Sequence, residues 1–132
     1  MTFKEFLQVL VIEERGNTTN FGRHWLPYYK LCTPCLINYD YMGNIEKLEE
    51  FWNLSGLKSL VPISWKNKKM SNQHEMFESL IKSVPRLILV KAYQKLKIDY
   101  EIFNYDFNNI LKLANYRELT PEEDIFIYSE SK

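Results

Sequence analysis

The sequence has few of the residues that break chains and bind metals. Of its 132 residues, four are glycine, five proline, two cysteine and two histidine. So little glycine and proline excludes a low-complexity linker. Two cysteines do not complete a four-ligand zinc site by themselves. Charge of one sign is not in excess either. Seventeen Lys and Arg balance seventeen Asp and Glu, so no net basic field points to nucleic acid. No apolar run approaches the ~18 residues of a membrane span. Met1 opens an amphipathic pattern rather than a basic region and an apolar block, so no signal peptide is visible. Apolar and aromatic residues are plentiful: 45% of the chain is hydrophobic and 15% aromatic, with nine tyrosines and eight phenylalanines. That suffices for one domain, or part of one, with a real core.

Periodicity predicts mainly helices. Thr2 and Glu5 have capping-box spacing, and Phe3, Phe6, Leu7, Leu10 and Val11 share one face of a helix over 2–14. A helix that begins at once suits a longer polypeptide upstream. Residues 15–35 read as irregular, and Leu36-Ile37 as a short buried strand. Asn44 is a candidate N-cap for a helix over 44–55, with Gly56 suited to its end. Residues 57–71 form a connection. Met76, Phe77, Leu80, Ile81 and Val84 make a helical stripe that Pro85 interrupts, and Leu87–Val90, Tyr93 and Leu96 continue as a second helix. Residues 98–105 fit either a short helix or an extended segment. Asp106 is placed to cap a last helix over Phe107, Ile110, Leu111 and Ala114. Thr120-Pro121-Glu122-Glu123 resembles another helix start, while 125–128 fits a strand equally well.

The stretch from His24 to Glu46 stands apart from these patterns. It holds both cysteines, Cys32 and Cys35, one of the two histidines and two of the five prolines. It reads as a loop pinned on a helical scaffold, and such loops often carry function. A C-x-x-C pair suggests a redox or metal role in the cytosol and a short disulfide in an oxidising compartment. Asn17 and Asn53 each open an Asn-x-Ser/Thr glycosylation acceptor.

Three signatures in order resemble the Golgi carbohydrate sulfotransferases, closest to the group that sulfates chondroitin, dermatan and N-acetylgalactosamine-capped glycans. The first is Phe3-Lys4-Glu5-Phe6-Leu7. The second is His24-Trp25-x-Pro27, Cys32-x-Pro34-Cys35, Tyr39-Asp40 and Glu46. The third is Tyr93, Asp99 and Phe103-Asn104-Tyr105. The resemblance covers residues 1–107 and leaves 108–132 as a C-terminal extension of unknown role. It implies an α/β fold of the P-loop sulfotransferase type, of which this chain is the mainly α-helical C-terminal part. It also implies transfer of sulfate from 3′-phosphoadenosine 5′-phosphosulfate to a sugar hydroxyl in the Golgi lumen, with any membrane anchor upstream.

In sulfuryl transfer a base takes the proton of the acceptor hydroxyl while cations stabilise the leaving phosphate. On this resemblance His24 and Glu46 are candidates to orient or deprotonate the sugar, set against plain structural roles. Trp25 is a candidate for stacking on the sugar, and Lys66, Lys68 and Lys69 for contacting an anionic glycan. Cys32 and Cys35 would be disulfide-bonded in such a secretory enzyme, and no metal is implied. The sequence departs from the family in lacking a glycine-rich, lysine-containing phosphate cradle and an Arg-x-Pro-like segment followed by serine. The chain alone is therefore expected to be inactive. The alternatives are a non-catalytic helical module that binds a glycan or a protein, and a cytosolic zinc or redox protein.

Overall fold

The computed structural model describes residues 1–12, 26–56 and 73–125. Six α-helices order this part of the chain: α1 (Phe3–Ile12), α2 (Tyr28–Cys32), α3 (Leu48–Ser55), α4 (Gln73–Lys82), α5 (Arg86–Ile102) and α6 (Phe107–Leu113). A 3-10 turn, Ile45–Lys47, leads into α3. No strand occurs among the described residues, which suits the mainly helical part of a larger fold.

α1 begins with the expected reciprocal cap. The Thr2 amide donates to Glu5 Oε2 at 2.7 Å, and the Glu5 amide donates to Thr2 Oγ1 at 3.2 Å. The backbone bond from Thr2 holds the Glu5 carboxyl below its ordinary pKa. Leu7 and Leu10 are buried, and α1 lies along α5. The Lys95 ammonium reaches the Leu10 carbonyl in the last turn of α1, where a cation favours the helix dipole.

α5 is the spine. Pro85 sets its start with φ −58°, and Leu89, Val90, Ala92 and Tyr93 are buried along it. The Tyr93 ring stacks on Phe107 of α6 at 4.4 Å, and Tyr100 meets both rings edge-on. Asp106 caps α6 by accepting the Asn108 amide at 2.9 Å. Val84 and Leu111 are fully enclosed at the centre of this core.

The structure corrects several sequence expectations. The ambiguous residues 98–105 are helical through Ile102, and a turn at Phe103–Asn104 follows. Leu36 and Ile37 form no buried strand: they are 85% and 49% exposed in and beside the turn after Cys32. Among the described residues no strand pairs with them, and the Thr33 carbonyl turns the backbone by accepting both their amides. In the stripe that α4 begins, Ile81 and, just past the helix end, Val84 are buried, but Met76, Phe77 and Leu80 face outward. Asn44 precedes the 3-10 turn without a side-chain cap and instead donates to the Phe103 carbonyl at 3.4 Å. Gly56 ends α3 with φ +69°, as expected of a left-handed C-terminal residue.

Position 107, where the family-like stretch ends, opens α6, and the residues beyond it join the same core. Tyr116 donates to the Val84 carbonyl at 3.1 Å. Residues 117–124 then cross back over α5. Arg86 grips Glu123 at 2.5 and 2.7 Å, Arg117 adds a second guanidinium, and Tyr93 donates to Asp124 at 2.6 Å. Thr120 and Glu123 make the reciprocal bonds of a capping box, yet 121–124 form a turn. Residues 126–128, where a strand was the alternative, lie outside the described residues.

Candidate functional site

The N-terminus of α2 shows how the distinctive loop is held. A helix start leaves its first amides without partners, and α2 has no side-chain cap of its own because Pro27 stands at its N-cap. The cap arrives from α5. Asp99 Oδ2 accepts the Tyr28 amide at 2.7 Å and Asp99 Oδ1 accepts the Tyr29 amide at 2.8 Å. Asp99 is only 8% exposed, and a carboxylate can be buried at that depth because both its oxygens are met by donors. Tyr28 also packs edge-on against Phe103, with ring centroids 5.8 Å apart.

A second tie closes the loop at its other end. The Tyr105 hydroxyl donates to Glu46 Oε2 at 2.7 Å. Burial, and then the Glu46 carboxylate, push the Tyr105 pKa up to about 12, so at neutral pH this phenol is a fixed proton donor. Between the ties the Tyr39 hydroxyl donates to the Cys32 carbonyl at 2.6 Å.

These ties border a cleft of about 750 Å³. α1 supplies Phe6, Leu7 and Leu10, the loop supplies Leu26 to Tyr28 with Gly43 and Asn44, and α5 supplies Leu96, Asp99, Tyr100 and Phe103. Tyr105, Asp106 and Ile110 complete it. Burial raises the Tyr100 pKa. The lining is mostly apolar and aromatic with a few polar groups, the usual make-up of a ligand site.

The candidate residues fare differently. Glu46 is exposed and does not itself line the cleft; its Oε2 accepts from Tyr105, which does. His24, Trp25, Lys66, Lys68, Lys69 and Asn17 lie outside the described residues. Leu26 and Pro27, which directly follow Trp25, line the cleft. Cys32 and Cys35 are free and exposed in this structure, with no bond between their sulfurs. Asn53 is exposed but helical, in α3. Among the described residues, no group of three or more His, Cys, Asp or Glu is arranged to hold a metal ion, and no helix is long and apolar enough to cross a membrane.

Sequence reasoning placed Asp99 and Tyr105 in a signature but missed what they do. The available signal was a polar residue in an apolar helical stretch, and a tyrosine just past that helix's end.

The stretch that carries all three signatures matches the model of the sulfotransferase family over residues 1–106. The chain belongs to the sulfotransferase family. It is 31% identical over 115 residues to carbohydrate sulfotransferase 11 of Rattus norvegicus, covering 84% of this chain and 33% of that protein. It is 32% identical over 119 residues to carbohydrate sulfotransferase 14 of Mus musculus, covering 86% and 31%. Carbohydrate sulfotransferase 9 of Homo sapiens is 32% identical over 111 residues, covering 78% and 25%. The chain thus spans about a third or less of the length of these sulfotransferases. No solved structure matches it. Both ties of this sulfotransferase chain fall between the second and third signatures: Asp99 and Tyr105 come from the third, and Glu46 belongs to the second.

Proposed function

We propose that this chain is the acceptor-side, C-terminal part of a carbohydrate sulfotransferase with the P-loop-type fold. The parent activity is transfer of sulfate from 3′-phosphoadenosine 5′-phosphosulfate to a sugar hydroxyl in glycan or proteoglycan synthesis, on the lumenal side of the Golgi membrane. The acceptor class is a glycosaminoglycan or an N-acetylgalactosamine-type glycan. Family membership and the carbohydrate sulfotransferases among its relatives support this reading. The observation that carries it is the Asp99 clamp. Two signatures 70 residues apart meet at the wall of one cleft, through bonds that fix the chain just after His24 and Trp25.

The described residues do not fit the nucleotide donor. None of them forms a phosphate cradle, and the sequence has no glycine-rich lysine loop. The role of this chain is therefore to hold the acceptor. Glu46 Oε1 is the carboxylate oxygen left to receive a sugar hydroxyl; on the resemblance, Trp25, Lys66, Lys68 and Lys69 are the candidates for contacting the glycan. In the lumen Cys32 and Cys35, free in this structure, would be disulfide-bonded to each other or to cysteines of the rest of the enzyme, and Asn17 and Asn53 would be acceptors for glycosylation.

Two experiments test the reading. The purified 132-residue chain, given labelled donor and unsulfated chondroitin, transfers no sulfate; measurable transfer refutes its inactivity in isolation. The same chain then replaces the matching third of rat carbohydrate sulfotransferase 11. The chimaera is expected to transfer sulfate, and to lose that activity on His24→Ala or Glu46→Gln. A folded chimaera that binds donor but transfers nothing defeats the enzyme reading and favours a glycan-binding module without turnover.

A further inference from the structure

A second cavity, of about 460 Å³, shares Tyr105 and Asp106 with the apolar cleft. Its lining is different in kind. Asp106, Asn108, Thr120 and Asp124 put polar groups into it, beside the rings of Tyr93 and Tyr105. Two of these groups, Asp106 and Asn108, have one atom committed to the fold and another left over. Asp106 Oδ1 accepts the Asn108 amide at 2.9 Å, which leaves Oδ2. Asn108 Oδ1 accepts the Leu119 amide at 3.0 Å. That amide can only donate, so the orientation of the Asn108 side chain is fixed and its Nδ2 donor is left over. Thr120 Oγ1 accepts the Glu123 amide at 3.3 Å and its hydroxyl donates to the Glu122 carboxylate, so Thr120 is committed to the fold.

The set of spare groups selects a ligand class. The Asp106 carboxylate disfavours an anion; Asp124 is already paired with Lys97 at 3.0 Å and takes the Tyr93 hydroxyl. An apolar ligand would strand the spare donor and acceptor at a desolvation cost. Among the described residues no cluster suits a metal ion. A ring bearing several hydroxyls fits, because each hydroxyl both donates and accepts.

We propose that this cavity is a subsite for one neutral sugar residue, held by Asn108 Nδ2 and Asp106 Oδ2 beside the rings of Tyr93 and Tyr105. It rests on the acceptor reading above only in taking that sugar as a unit of the acceptor glycan; the binding stands on the cavity itself. The family match ends at residue 106, so the wall built from residues 119–124 belongs to this chain and is not inferred from the family.

The test is donor-free binding of N-acetylgalactosamine to the 132-residue chain, followed by saturation-transfer and amide-shift NMR. The expected result is saturation transfer to the sugar, with shifts at the Asn108 side-chain amide and at Thr120. Asn108→Asp keeps the acceptor for Leu119 and removes the spare donor, so affinity should fall about five- to ten-fold. Glucuronate should bind more weakly than the neutral sugar. Absence of saturation transfer overturns the proposal, and so do shifts confined to Leu7, Leu96 and Ile110 in the apolar cleft. The wild-type shift map decides the matter even if the variant does not fold. Sugar binding without sulfate transfer by the chimaera would sink the enzyme reading and leave the subsite standing.

Discussion

Replacing Asp99 by alanine removes the cap on α2 and should be read out at two named amides. Asp99 is 8% exposed and accepts two backbone bonds of 2.7 and 2.8 Å. Bonds to a charged group contribute about 1.5–3 kcal/mol each. The two freed amides border an open cleft and regain water, so the full sum is not reached; loss of an ordinary N-cap costs about 0.5–2 kcal/mol. The expected loss for Asp99→Ala is therefore about 2–4 kcal/mol, and for Asp99→Asn, which keeps one acceptor, about half of that. Urea unfolding of the 132-residue chain measures the total. Hydrogen exchange locates it, because the Tyr28 and Tyr29 amides should lose protection while those of α5 near Leu89 and Val90 keep theirs. A loss below about 0.5 kcal/mol, with exchange at Tyr28 and Tyr29 unchanged, would show that the carboxylate does not hold the loop.

Tyr105→Phe removes the bond to Glu46 and should cost about 0.5–1.5 kcal/mol in chemical unfolding, since the pair is exposed. Because Tyr105 is held up at about 12 in the folded chain, its stabilisation is complete below the ordinary tyrosine value and fades as pH rises toward 12. Glu46→Gln should move that alkaline transition to lower pH in a spectrophotometric titration, and an unmoved transition would refute the pairing. Glu123 is shifted the other way: the Arg86 guanidinium, then the Thr120 amide and Arg117, hold its carboxyl far below its ordinary 4.5. Its contribution is present above that value and lost as pH falls, so amide shifts of residues 119–124 should change in acid before those of α5; simultaneous change would count against a separate strap. Leu111→Ala empties a fully enclosed site and should destabilise the chain by about 2–5 kcal/mol in thermal or urea unfolding, more than any change on the exposed face of α4.

The parts of the fold that announce themselves in sequence are those set by near neighbours. Thr2 and Glu5 are three residues apart, and their cap forms as expected. Pro85 separates α4 from α5, and Asp106 caps α6, for equally local reasons. Residues 98–102 were ambiguous because Ile98, Tyr100 and Ile102 alternate as in a strand. In the structure they continue α5 and turn Asp99 inward to a loop 70 residues earlier, a contact that no local pattern encodes. Leu36 and Ile37 fail for the converse reason: a strand-like pair needs a partner strand, and composition does not supply one. Periodicity marked Met76, Phe77 and Leu80 as a stripe without saying whether anything covers it, and in the structure they are exposed. At the site the motif residues were legible, but the pairing of Glu46 with Tyr105, across 59 positions, was not.

The borrowed cap also fixes an order of assembly. α2 has five residues, far short of the ~12–15 at which an isolated helix becomes even marginally stable in water. It cannot nucleate before its partner exists, so α5 must be in place before Tyr28 and Tyr29 find Asp99. Closing a loop of some 70 residues comes late in folding because its entropy is spent before its contacts form. The same logic runs backwards in the native state. The segment from α2 to Glu46 can detach at the cost of its ties while the core around Val84 and Leu111 stays intact. The wall of the cleft is thus its last piece to close and its first to open.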